Sequence, residues 1–175
     1  MTTYRELAEQ VVDLVARRLG HAPGLSRAAE MPLPGGRTSE RWADFAASFA
    51  RTARLPRQTT EHLLRVYGIR APEVLAMAST SGLREVFDPL TGAIAAEILW
   101  AFREEGARTL SDVIARRTMT GLGANAGIDA DTTAARIARE TLGWDAARAE
   151  AEIDSYRRWV SRYQPRLLEP DTINT

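Results

Sequence analysis

Apolar residues recur along most of this chain at steps of three and four, the spacing that lines one face of a helix. Leu7, Ala8, Val11, Leu14, Val15 and Leu19 make such a stripe over residues 3 to 19. Thr3 and Glu6 have the spacing of a capping box, and Gly20 stands where a carboxyl cap belongs. Residues 21 to 37 carry three prolines and three glycines with no period, which predicts an extended connector. From residue 38 the helical period returns. Trp42, Phe45, Ala46, Phe49 and Ala53 stripe one helix; Leu63, Leu64 and Tyr67 belong to a second, closed by Gly68. Pro72 suits the first turn of a third with Val74, Leu75 and Ala78. Leu90, Ile94, Ile98, Ala101 and Phe102 predict a longer helix over 90 to 105. Thr109 and Asp112 cap another, turning Leu110, Val113 and Ile114 inward. A glycine-rich loop spans 120 to 130, and Asp131 opens a helix with Ile137, Ala138 and Leu142 that Gly143 ends. Asp145 caps a last one with Ile153, Tyr156, Trp159, Val160 and Tyr163 on its inner side.

No segment alternates with the period of a strand. The expected fold is therefore all-α: an irregular bundle of about seven to eight helices, preceded by one amino-terminal amphipathic helix and an extended linker. The chain divides into residues 1–37, residues 38–166 as the helical body, and 167–175 as a loose tail.

Composition narrows the chemistry. All 23 basic residues are arginine, so Schiff-base lysines, phosphate-loop lysines and lysine general bases are excluded. There is no cysteine, which removes thiol nucleophiles, thiolate metal sites and disulfides. Two histidines, His21 and His62, are too few for a histidine-rich metal site, and no metal is expected. The 23 acidic residues balance the arginines, so net charge gives no argument for nucleic acid. No apolar run reaches the roughly 18 residues that span a bilayer. The first ten residues are partly acidic with no apolar core, unlike a signal peptide, which leaves the cytoplasm as the expected compartment.

Few motifs carry chemistry. Gly121-Leu-Gly123-Ala-Asn-Ala-Gly127 has a glycine spacing one residue too long for a dinucleotide fingerprint, and the residues before it read as helix rather than strand. An ordinary loop between helices is the better reading. Glu97 lies among Ile94, Ile98 and Ala101, and Arg117 comes after Leu110, Val113 and Ile114 at helical steps. Two opposite charges aimed at one core predict a structural Glu97–Arg117 ion pair, because an unpaired buried charge is costly. Arg116, one turn beyond Asp112, reads as an exposed intrahelical partner. His62 reads as a core or surface histidine. No catalytic residue stands out.

Several stretches, taken in order, resemble one family. They are Thr2-Thr3-Tyr4-Arg5-Glu6-Leu7-Ala8-Glu9, Leu33-Pro34-Gly35-Gly36, Tyr67-Gly68-Ile69-Arg70-Ala71-Pro72-Glu73-Val74-Leu75 and Ala96-Glu97-Ile98. Ala107 through Thr118, Leu142-Gly143-Trp144-Asp145 and Glu152-Ile153-Asp154-Ser155-Tyr156 complete the set. From Thr2 to about Tyr163 the chain resembles the carboxyl-terminal third of FAD-dependent sn-glycerol-3-phosphate dehydrogenase. The resemblance implies an enzyme that oxidises glycerol 3-phosphate to dihydroxyacetone phosphate and passes electrons to quinone, or to oxygen in the related oxidases. It implies that residues 1–37 are the last helix and linker of an FAD-binding domain, and 38–166 a helical cap. By the same resemblance Thr2 and Thr3 would lie near the flavin of the longer enzyme, where a helix amino terminus suits an electron-rich ring edge.

The family's nucleotide fold, substrate-binding arginine and histidine are absent from this sequence, and Met1 stands where the family has leucine. The expectation is a fragment that binds no FAD and turns over no substrate. The implied partners are the chain's own flavin and substrate domain, with peripheral association at the inner face of the membrane. Helix 3 to 19, cut from that domain, leaves a stripe of large aliphatics worth roughly 6–12 kcal/mol of burial. Docking on the cap or on a second copy, giving a homo-oligomer, is expected. The rival reading is a stand-alone interaction module, or a regulator using residues 109 to 142 as a helix-turn-helix. That loop, about ten residues, is longer than the three or four such a motif uses.

Overall fold

The computed structural model describes residues 3–36, 40–79 and 82–163. Contacts divide the described residues into two compact units, one within Met1–Ser39 and one within Glu40–Thr175. The expected loose tail, 167–175, lies outside the described residues.

The first unit holds α1 (Tyr4–Arg18) and the connector. The helix ends as Gly20 predicts: with φ at +78°, Gly20 sends its N–H to the Arg17 carbonyl while the His21 N–H reaches Ala16. Its start differs from expectation. Thr3 has φ −101° and ψ 2° and makes no side-chain cap, so the Thr3–Glu6 capping box does not form. A hydroxyl reaches the third helical N–H from an extended backbone, which Thr3 lacks. No residue of α1 is buried, and Leu7, Val11, Val12, Leu14, Val15 and Leu19 are all exposed.

In the second unit, α2 (Trp42–Ala53), α3 (Arg57–Tyr67) and α4 (Ala71–Met77) precede a short antiparallel ribbon, β1 (Val86–Asp88) and β2 (Ala93–Ile94). Then come α5 (Ala95–Glu104), α6 (Leu110–Asp112), α7 (Ile128–Leu142) and α8 (Ala146–Val160). The molecule is mostly helical, as the periodicity predicts. The ribbon corrects the reading of 90 to 105 as one helix. Asp88 accepts the Leu90 N–H and the Thr91 hydroxyl, and Gly92 at φ +82° returns its N–H to the Asp88 carbonyl. That aspartate-to-glycine turn delays the helix to Ala95.

Helix α5 is the axis of the core. Every residue from Ala95 to Ala101 is buried, the signature of a helix surrounded on all sides. Leu63, Val74, Leu110, Ile114, Ile137, Tyr156 and Val160 from its neighbours are each at most 1% exposed. Alanines at 93, 95, 96, 101, 134, 135 and 138 let backbones approach one another closely. The cap on α6 forms as predicted: Asp112 accepts from the N–H of Thr109 while the Thr109 hydroxyl accepts from the Asp112 N–H. Asp145 likewise caps α8 by accepting from Arg148 N–H at 2.7 Å.

Two further boundaries move. Helix α7 begins at Ile128 rather than Asp131, with Gly127 at φ +70° before it. Asp131 is fully buried and pairs with the Arg157 guanidinium of α8 at 2.6 Å. After Asp112 the chain does not continue as an α-helix. Val113–Arg117 is a π turn, closed by the Thr118 N–H reaching back five residues to the Val113 carbonyl at 2.9 Å.

Candidate functional site

The resemblance points to two cofactor contacts at the start of α1. Thr2 lies outside the described residues. Thr3 is exposed, its carbonyl accepts the Leu7 N–H, and its hydroxyl has no capping role. Behind it, Arg5 donates to the Met31 carbonyl at 2.9 Å and ties the connector to the helix. The arrangement leaves a helix amino terminus with a hydroxyl beside it, able to meet an electron-rich group. It supplies no enclosure for a nucleotide.

The second candidate is the charged pair in the core, and here the structure corrects the sequence. Glu97 is fully buried, but Arg117 is exposed and makes no ion pair among the described residues. The π turn is the reason. Its surplus residue rotates the chain beyond it, so Thr118, not Arg117, occupies the inward position above Val113. Thr118 is 5% exposed, and its hydroxyl donates to the Val113 carbonyl at 3.1 Å.

Glu97 instead collects three donors. Oε1 accepts the Ile94 N–H at 2.8 Å, and Oε2 accepts the Tyr67 hydroxyl at 3.0 Å and faces His62 Nε2 at 2.8 Å. His62 Nε2 is the ring nitrogen turned to the carboxylate, and Nδ1 is buried without a partner among the described residues. Burial, followed by the charges of Glu97 and Glu105, pushes the Tyr67 hydroxyl far above its ordinary range, so it stays a donor. Trp100 stands edge-on to Tyr67, and Arg70 lies 4.5 Å from the Trp100 ring centre. No solvent reaches His62 or Glu97, so this cluster fastens α3 to the start of α5 and cannot touch a substrate. Sequence reasoning missed His62 and Tyr67 as its members. Their spacing to Glu97 is a tertiary matter, and no local period reports it.

The glycine loop is the third candidate. It comes after a π turn, not a strand, and opens with a short 3₁₀ turn, Thr120–Leu122. Its glycines answer to packing: a Cβ on Gly121 would stand 2.6 Å from the Ile114 carbonyl oxygen, and one on Gly127 would stand 2.5 Å from Ile114 Cγ2. Asp129 and Asp131 occupy the first turn of α7, where a phosphate would need to sit. This loop therefore does not form a dinucleotide cradle. A helix-turn-helix over 109 to 142 is not formed, because α6 has three residues before the π turn. The described residues contain no cluster with the composition of a metal site, and no helix long and apolar enough to cross a membrane.

Comparison with known proteins supplies what the geometry does not. Residues 26–149 match the model of the C-terminal domain of alpha-glycerophosphate oxidase. The chain is 27% identical to the glycerol-3-phosphate dehydrogenase of Synechocystis sp. over 93% of its own length and 30% of that protein's. It is 28% identical to the mitochondrial glycerol-3-phosphate dehydrogenase of Bos taurus, covering 91% of this chain and 22% of the relative. Against glycerol-3-phosphate dehydrogenase 2 of Mycobacterium tuberculosis it is 27% identical, over 99% of this chain and 30% of the relative. The chain thus spans less than a third of these relatives' length. No solved structure matches it.

Proposed function

Because the chain belongs to the family of C-terminal domains of alpha-glycerophosphate oxidase, we propose that it serves as the carboxyl-terminal accessory part of an FAD-dependent glycerol-3-phosphate dehydrogenase. In this reading the longer enzyme oxidises glycerol 3-phosphate to dihydroxyacetone phosphate and delivers electrons to quinone, working in the cytoplasm at the inner face of the membrane. Residues 1–37 complete the flavin-binding domain, 38–166 form the cap, and Thr2 and Thr3 approach the flavin from the amino end of α1. The observation that carries the proposal is coverage. Nearly all of this chain aligns with proteins named glycerol-3-phosphate dehydrogenase, always over a minor share of their length.

Two structural features support an accessory role. The only carboxylate and imidazole brought together among the described residues are sealed in the core, out of reach of substrate. Helix α1 exposes a row of large aliphatics, of a size that another protein surface covers. In the longer enzyme that surface is the flavin domain; for this chain alone it is a second copy.

The test is genetic and enzymatic. Deleting the coding segment for residues 1–175 from the source organism should abolish glycerol-3-phosphate-dependent dye reduction in its extracts. The purified chain, mixed with FAD and dialysed, should retain no flavin absorbance. Unchanged dye reduction in the deletion strain, or stoichiometric flavin on the isolated chain, overturns the assignment.

A further inference from the structure

Between the turn after β1 and the loop that precedes α7 lies a cavity of about 440 Å³, walled by Asp88, Leu90, Thr120, Asn125, Gly127 and Asp129 among others. Both walls are held from behind. Gln58 of α3 donates to the Pro89 and Leu90 carbonyls at 3.1 and 3.0 Å, fixing the turn. Across the cavity, Asn125 accepts the Gly127 N–H at 3.2 Å and donates to Asp129 at 2.6 Å. Tyr156 donates its hydroxyl to the Ala126 carbonyl. The cavity is therefore preformed, as binding sites generally are.

Three observations say what it would accept. Thr120 is 3% exposed, lines the cavity, and its hydroxyl has no partner among the described residues. Folded proteins rarely leave a buried hydroxyl so. Asp88 and Asp129 line the cavity and no basic residue does, so the site favours a positive group despite the helix amino terminus beside it. Leu90 lines the cavity and stands 69% exposed, on the turn that Gln58 holds. Leu90 packs on the loop itself: a Cβ on Gly123 would be 3.5 Å from its Cδ1.

We propose that this cavity receives an arginine side chain of a partner protein, its guanidinium between Asp129 and Thr120 and its neighbours against Leu90. Arginine fits better than lysine because a planar fork of five N–H groups can serve acceptors at separate points. The proposal lies wholly within residues 87–130 and stands whether or not the chain belongs to a dehydrogenase.

The full chain, labelled with ¹⁵N, is titrated with N-acetyl-arginine methylamide, and with the citrulline and lysine analogues as controls. Saturable shifts of the Thr120, Gly127 and Asp129 amides are expected with arginine, weaker by about tenfold or more with uncharged citrulline. Asp129→Asn should weaken binding by a similar factor, and Thr120→Val should weaken it while leaving the melting temperature in place. Four results would overturn the proposal: no saturable shift, equal binding of citrulline, stronger shifts of the same amides with inorganic phosphate, or shifts of these amides on dilution of the chain alone, which would make a second copy the occupant.

Discussion

His62 and Glu97 stand 35 residues apart in sequence and 2.8 Å apart in the folded chain, both without solvent contact. Glu97 also accepts the Ile94 N–H at the start of α5, so one carboxylate joins α3 to the first turn of the central helix.

Removing that carboxylate strands three donors in the core. Glu97→Ala is expected to cost about 3–5 kcal/mol, the range for breaking a buried charged cluster. Tyr67→Phe removes one donor and leaves the other two in place, so it should cost about 1 kcal/mol. Urea denaturation of both variants checks the order. A Glu97→Ala protein as stable as the parent would mean that the cluster is not what holds α3 to α5.

Gly127 and Gly143 flank α7 with the same left-handed backbone, φ +70° and +71°, but in different surroundings. A Cβ at 143 meets open space; one at 127 meets Ile114 Cγ2 at 2.5 Å and Thr120 Cγ2 at 3.2 Å. Gly143→Ala should therefore cost about 1–2 kcal/mol from backbone strain alone. Gly127→Ala should cost about 1–3 kcal/mol more, from overpacking. Thermal denaturation of the two variants separates strain from crowding.

Asp112 makes stability depend on acid. Burial acts to raise its carboxyl, but the N–H groups of Arg108 and Thr109, the Thr109 hydroxyl and the Arg116 guanidinium outweigh it and hold the group below its ordinary range. The folded value lies below the unfolded one, near about 3.9. The ionised form therefore stabilises fully above that pH, and the contribution fades as pH falls through the folded value. Asp112→Asn should be less stable than the parent near neutral pH, and the gap should close in acid. A gap constant with pH would show that the charge plays no part.

The exposed stripe on α1 predicts self-association of the isolated chain. Sedimentation velocity should show a species larger than a monomer that dissociates on dilution, and Leu14→Glu should abolish it while the helical circular dichroism remains. A monomer at every concentration would leave the stripe uncovered and argue against a second copy as its partner.

Much of this fold could be read from apolar spacing because its helices are local objects. The stripe on α1, the Gly20 terminus, the Thr109–Asp112 cap and the Asp145 cap all depend on residues near one another in sequence. The ribbon escaped because its strands have three and two residues, too few to show a period, although Asp88, Pro89 and Gly92 marked the turn. Arg117 was misplaced for a different reason. Helical steps counted from Leu110 assume 3.6 residues per turn, and the π turn breaks that count. His62 and Tyr67 could not be matched to Glu97 at all, since only packing decides which distant donors meet a buried acceptor.

The π turn also constrains how this stretch tolerates length changes. It amounts to a helix carrying one additional residue, so a chain lacking Ala115 could close the segment as ordinary α-helix without disturbing Leu110 or Val113 upstream. Downstream the register would hold: Thr118 would then follow Val113 by four residues, so its N–H and hydroxyl would keep the Val113 carbonyl and the guanidinium at 117 would stay turned outward. A single-residue deletion here should thus be absorbed by the turn itself, while an insertion a few positions later would displace the buried Thr118 and Thr120 and the close approach of Gly121 to Ile114.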